Sequence, residues 1–137
     1  ATSAITITNS FASGDSVTKT VGAGIIGRVG AENSTISNCI AWNAKVESTA
    51  ASSTGAIIGS LEKSGSYSKC IRKNDMVVTI ASAAQTLADQ DDMTTVSSTC
   101  AYHGKAAAAG ATVSSVAKTL GWGETVWDLS GTLPVLK

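Results

Sequence analysis

A chain of 137 residues is long enough for one domain with a sizeable core, and an apolar fraction of 43% separates it from disordered compositions. Charged residues make up 15%, and ten Lys and Arg balance ten Asp and Glu, which leaves no net field to steer the chain to nucleic acid or an anionic membrane surface. Three Cys make a poor disulfide framework, and no apolar run reaches a transmembrane length, which argues against membrane insertion.

Taken in order, residues 3–8 alternate, with Ile5 and Ile7 on one face of a short half-buried strand. Ser13-Gly14-Asp15-Ser16 is a turn. Residues 17–29 carry Val17, Val21, Ile25, Ile26 and Val29, broken by Gly22, Gly24 and Gly27. Glycines at this density suit a chain that runs straight for a few residues and then bends, each Gly supplying the dihedrals of the bend. Residues 34–48 are the clearest extended stretch: Ile36, Ile40, Trp42, Ala44 and Val46 share one parity, and Asn38 with Cys39 interrupts it. A bend near position 39 follows. Residues 49–54 read as a loop, 55–61 as a second Gly-closed apolar run, and 67–80 as a second copy of the extended stretch.

These segments recur. Gly24-Ile25-Ile26-Gly27 returns as Ala56-Ile57-Ile58-Gly59, and Asn38-Cys39-Ile40 returns as Lys69-Cys70-Ile71. Asn9 stands ahead of Asn38 at nearly the same interval. The same alignment sets Ile36 against Tyr67, Ala41 against Arg72, and Trp42 against Lys73. A period of about thirty residues indicates a repeat architecture. The segments are too short and too rich in Gly, Ser, Thr and Val for amphipathic helices. An antiparallel sandwich leaves the regular return of Gly and Cys unexplained. The expected fold is therefore an all-β parallel β-helix in one domain spanning 1–137. Its rungs cover about 3–80, an irregular part covers 81–111, and a cap covers 112–137. Cys39 and Cys70 stack as buried free thiols, while Gly24, Gly27, Gly59 and Asn38 are structural.

Within the irregular part, residues 83–88 could form a helical turn or two, and Cys100, one further period after Cys70, suggests a last degraded rung through 99–102. Thr112 or Ser114 caps a helix whose apolar face is Val113, Val116, Ala117 and Leu120, and Gly121 ends it. Trp122, Val126, Trp127, Leu129, Leu133 and Val135 then form a dense apolar tail, which supplies an aromatic C-terminal cap for the stack.

Candidate chemistry is sparse. Gly22, Gly24 and Gly27 fit the spacing of a dinucleotide fingerprint, yet a turn follows where that motif needs a helix. Asp89, Asp91 and Asp92 lack the remaining ligands of a Ca²⁺ loop and read as a solvated turn. His103, the single histidine, has no nucleophile-elbow motif to serve and no zinc-finger spacing to the cysteines. Glu32 and Glu62, in corresponding turns of successive repeats, could stack on one edge as a carboxylate pair, although solvation of the turn explains them as well. The expectation is no catalytic residue, no metal and no cofactor. Trp42, Tyr67 and Lys73 are the candidate ligand contacts, whereas Trp122 and Trp127 belong to the cap core.

The string Ser37-Asn38-Cys39-Ile40-Ala41-Trp42-Asn43-Ala44, preceded by Gly24-Ile25-Ile26-Gly27, resembles the GLUG-type repeats of large surface proteins from gut Bacteroides and their relatives. The ending from Gly121-Trp122-Gly123 to Thr132-Leu133-Pro134-Val135-Leu136 looks like the end of such repeat regions. The resemblance implies a right-handed β-helical module of a secreted or outer-membrane-anchored, adhesin-like protein, extending beyond this chain and without assigned catalytic residues. Its Gly residues and Asn-Cys pair would be structural. Lys69 departs from the pattern, so an inward Asn ladder would end before the third rung. Partners would be a host or microbial surface glycan or protein and an upstream domain of the same protein. An uncovered first rung would otherwise favour end-to-end self-association. The alternative role is a polysaccharide-binding or polysaccharide-degrading module.

Overall fold

The computed structural model describes residues 3–49, 53–93, 96–97 and 99–137. The chain winds through about three turns of a parallel β-solenoid with one short helix. The first turn contains β1 (Thr6–Thr8), β2 (Phe11–Ser13), β3 (Ser16–Thr18), β4 (Gly22–Ala23) and β5 (Ile26–Val29). The second contains β6 (Ser34–Ser37), β7 (Ile40–Trp42), β8 (Lys45–Ser48), β9 (Thr54–Gly55) and β10 (Ile58–Leu61). The third contains β11 (Gly65–Ser68), β12 (Ile71–Arg72) and β13 (Val77–Ile80). Each strand lies in parallel register on its counterpart. Ile36 joins Ile7 to Tyr67, Ile40 joins Phe11 to Ile71, and Ile58 lies on Ile26. Between the first two turns the offset is the same at β1 and β2, where Thr6 faces Thr35 and Phe11 faces Ile40. It grows slightly at β3, where Ser16 faces Val46, and again at β4 and β5, where Gly22 faces Thr54 and Ile26 faces Ile58. The unequal spacings of the repeat are therefore located: the chain lengthens at the β7–β8 and β8–β9 connections.

The corners follow from two different rules. Asn9, Asn38 and Lys69 hold the same corner in successive turns, with φ of 48°, 54° and 51°. This left-handed conformation costs most L-residues about 1–2 kcal/mol, and Asn tolerates it best after Gly. The bend expected near 39 is this corner. It is not an inward ladder, since Asn9 and Lys69 are exposed and Asn38 is half-buried. The glycines do something else. Gly24, Gly27 and Gly59 have no left-handed dihedral, contrary to the expectation that they supply the bends. Gly24 and Gly59 are glycines because neighbouring groups come too close for a side chain, whereas a Cβ on Gly27 would meet only the Val21 carbonyl oxygen, at 3.2 Å. A Cβ on Gly59 would lie 2.5 Å from the Gly22 carbonyl oxygen and 2.6 Å from that of Gly27, and one on Gly24 would lie 2.6 Å from Asn43 Oδ1.

The interior is filled by Val29, Ile36, Cys39, Ala41, Val46, Ile57, Leu61, Tyr67, Cys70 and Val78. Cys39 and Cys70 are free, buried and adjacent, as the repeat requires. The Cys39 neighbour and burial together push the Cys70 thiol far above its ordinary range, so it stays protonated.

Residues 81–106 close the last turn. Ala81 and Ser82, with φ of 48° and 67°, make a tight hairpin that returns β14 (Ala83–Ala84) antiparallel to β13, so the expected helical turns at 83–88 are absent. β15 (Asp92–Met93) pairs antiparallel with β11, and Tyr102 and Ser97 bridge antiparallel to Ile58 and Leu61. The segment through Cys100 therefore crosses β10 in reverse and does not stack Cys100 on Cys70. The parallel addition comes later, where β16 (Lys105–Ala106) lies on β12. Expectations that fall on 50–52, 94, 95 and 98 lie outside the described residues.

Helix α1 (Val113–Thr119) begins at Thr112, whose hydroxyl accepts from the Ser115 N–H in a reciprocal capping box. Val113, Val116 and Ala117 are its buried face, and Gly121 at φ 75° follows its end. The tail continues into a hairpin of β17 (Trp127–Asp128) and β18 (Val135–Leu136). The aromatic cap is present, and it covers the flank of the stack. Trp122, Val113, Val116, Ala117 and Leu129 pack on Ile40, with Phe11, Trp42 and Ile71 against them, on the outer face of the β2–β7–β12 sheet. Trp122 Nε1 donates to the Asn38 carbonyl at 3.0 Å, and its ring lies 5.0 Å from Trp127 and 6.5 Å from Phe11.

The two corner rules predict opposite outcomes. Gly59→Ala should lower the unfolding free energy in urea titration by about 3 kcal/mol, because both obstructing oxygens are backbone. Lys69→Asn should raise it by about 0.5–1 kcal/mol, and Lys69→Ile should lower it.

Candidate recognition cleft

Stacking determines what surrounds Trp42. Alternation along β7 turns Ala41 inward and Ile40 and Trp42 outward, against the helix side. Lys73 is held one turn further on by its N–H bond to the Ala41 carbonyl at 2.8 Å. Between β12 and β13 the chain turns through Asn74 and Asp75, closed by a Met76 N–H bond to the Lys73 carbonyl at 3.2 Å. The Ala107 N–H donates to the Arg72 carbonyl at 2.9 Å, so residues 108–111 run past this turn. Together Trp42, Lys73, Asn74, Asp75 and residues 108–111 line an open cleft of about 280 Å³. Small side chains along 108–111 keep it open. Lys73 Nζ lies 2.9 Å from Asp75 Oδ1, and this bond holds the Asp75 carboxyl below its usual range. Beyond the shared Ala108 and Ala111, a larger hollow of about 450 Å³ is lined mainly by Ile71, Ala106, Ala107 and Val116. Its wall is mostly aliphatic, with Lys105, Ser115 and Thr119 in the lining, and has no aromatic ring.

Of the three candidate contacts, the structure brings Trp42 and Lys73 together and excludes Tyr67. Tyr67 is 2% exposed, its ring inside the solenoid and its hydroxyl donating to the Lys63 carbonyl at 2.7 Å. The inward parity of Ile36, its partner, carries Tyr67 inside. Asn74 and the 108–111 strip were not legible as site residues. One signal was present: Ile71 lies on Ile40 but Val77 lies on Lys45, so the interval between turns lengthens between β12 and β13 and marks an insertion at that turn.

The other polar groups are committed elsewhere. Glu62 pairs with Arg28 at 2.6 Å and Glu32 with Lys63 at 3.6 Å. Asp91 approaches Lys105 at 3.7 Å. Asp89 accepts from the Ala106 N–H at 3.0 Å and from Arg72 at 2.9 Å, and both lower its carboxyl pKa. No cluster of three His, Cys, Asp or Glu suited to a metal occurs among the described residues. Arg72 stacks on Ala41 and points into the stack with 5% exposure, its guanidinium bonded to the Gly104 and Leu87 carbonyls as well. His103 is half-buried: its Nδ1 accepts from the Ala56 N–H at 3.2 Å, and its own backbone N–H donates to Gln90 Oε1 at 2.7 Å. Burial and the Arg72 charge lower its pKa.

No family model matches the sequence, and neither a curated protein nor a solved structure does.

His103 should make the fold sensitive to mild acid. As pH falls below about 6.5, the unfolded chain binds a proton that the folded imidazole resists. Stability contributed by His103 is complete above that value and is lost down to its lowered folded pKa, with a slope of at most about 1.4 kcal/mol per pH unit. Because the chain has one His, urea titrations between pH 7 and 5 should show this slope in the wild type and a flatter profile in His103→Gln.

Proposed function

We propose that this domain is a non-catalytic recognition module of an adhesin-like surface protein, and that it binds a glycan in the Trp42 cleft. One observation carries the reading. Trp42 is only half-buried and sits beside Lys73, Asn74 and Asp75 in an open cleft. An aromatic ring with a cation, an amide and a carboxylate around it offers a sugar an apolar face to stack on and donors and acceptors for its hydroxyls. The resemblance of the Gly24–Gly27 and Ser37–Ala44 strings to surface-protein repeats supports display at the cell exterior, with an upstream domain of the same protein as neighbour.

A glycan-array screen tests this, followed by titration of any hit with Trp42→Ala and Asn74→Ala. Expected is saturable binding by the wild type, weakened at least about tenfold in both variants while thermal unfolding shows each still folded. A folded wild type that binds no glycan, or binding untouched by both substitutions, would overturn the reading.

A further inference from the structure

The tail covers the three turns unevenly. Phe11, Ile40 and Ile71 form one column across them. Trp122 is held over the first two turns, by its bond to the Asn38 carbonyl at 3.0 Å and by the Phe11 ring 6.5 Å away. Ile40 is fully buried, but Ile71 is only half-buried. Around Ile71 the chain supplies Ala106, Ala107, Ala108 and Ala111 with Val116 of α1, and these small groups leave the hollow of about 450 Å³. Protein interiors pack without such space, and the volume falls in the range of small-molecule sites, about 300–1,000 Å³.

The lining decides what can enter. The Ser115 hydroxyl donates to the Thr112 carbonyl at 2.9 Å and the Thr119 hydroxyl to the Ser115 carbonyl at 3.1 Å, so neither offers its proton to a ligand. Lys105 stacks on Ile71 and lines the hollow, and its ammonium lies 3.7 Å from the Asp91 carboxylate. A second sugar would find no ring to stack on and few groups for its hydroxyls, whereas a saturated chain needs neither. The hollow also borders the Trp42 cleft. Ala108 and Ala111 line both, so a molecule seated in one extends into the other over alanine side chains.

We infer that the ligand is an amphiphile, a sugar carrying an aliphatic chain, with the sugar in the Trp42 cleft and the chain in the hollow between Ile71 and α1. The sugar half rests on the glycan reading of the cleft; the chain half rests on the hollow alone. The two halves do different work. Trp42, Lys73 and Asn74 orient the head, and the hollow adds affinity without direction. Each methylene that enters the hollow strengthens binding about three- to fourfold, until the space is full.

Titration of the 137-residue chain with methyl, butyl, hexyl and octyl β-glucosides, each below its micelle concentration and followed by amide NMR shifts, tests this. Affinity should climb about three- to fourfold per methylene, and the longer glucosides should shift the amides of Ala106, Ala107 and Val116 together with those of Lys73 and Asn74. Thr119 is exposed at the rim, so Thr119→Trp can fill the hollow without entering the core. Thermal unfolding should show this variant folded, and its binding should no longer depend on chain length. Trp42→Ala should weaken every glucoside by one common factor and keep that dependence. Affinity independent of chain length in the wild type, or a dependence that survives in a folded Thr119→Trp, would overturn the proposal. A dependence lost in Thr119→Trp, with affinities untouched by Trp42→Ala, would support the chain site and overturn the sugar half together with the glycan reading of the cleft.

Discussion

The structure depends on backbone hydrogen bonding between successive turns. Its strands are short, and among the described residues no hairpin joins neighbours within the first two turns, so none of these strands could persist alone. Each gains its partners only when the matching strand of the next turn lies beside it. That demand explains both corner rules. The chain must return to the same place after every turn, so corner dihedrals must repeat, and Asn, Asn and Lys hold nearly the same φ at one of them. Turns must also lie at strand separation, so a position where backbone crosses backbone excludes even a methyl group, as at Gly59.

Much of this was legible because stacking leaves a periodic record. The pairs Ile36 with Tyr67, Ile40 with Ile71, and Ala41 with Arg72 can be read from the sequence and are the register found. The meaning of individual residues was harder to read. A frequent Gly looks like a bend, and only the neighbouring carbonyls reveal a crossing. Asn38 looks like a ladder residue until its φ is known. Residues 81–106 resisted reading for a physical reason: they pair mainly antiparallel, so nothing obliges them to repeat what lies beneath. The cleft was half legible. Trp42 and Lys73 came from adjacent repeats, whereas residues 108–111 arrive from the far part of the chain and carry no pattern beyond small size.

Arg72 shows how a repeat is modified where it must stop. Its backbone continues the sheet, and its alignment with Ala41 places a guanidinium where the stack needs only a small apolar group. The cost of that burial is offset by bonds to Gly104, Leu87 and Asp89, all in the segment that closes the turn. One charged side chain thus ties down a stretch with little apolar content. Its positive charge also opposes protonation of His103 nearby.

The aromatic tail alters how this solenoid comes apart. In a plain stack each turn touches only its neighbours, so terminal turns fray independently and unfolding spreads along the axis. Here Phe11, Ile40 and Ile71, one from each turn, meet the same Trp and helix cluster. The tail works as a splint laid across the turns. Losing the first turn would also strip contacts from the cluster that supports the third, a coupling that works against turn-by-turn fraying.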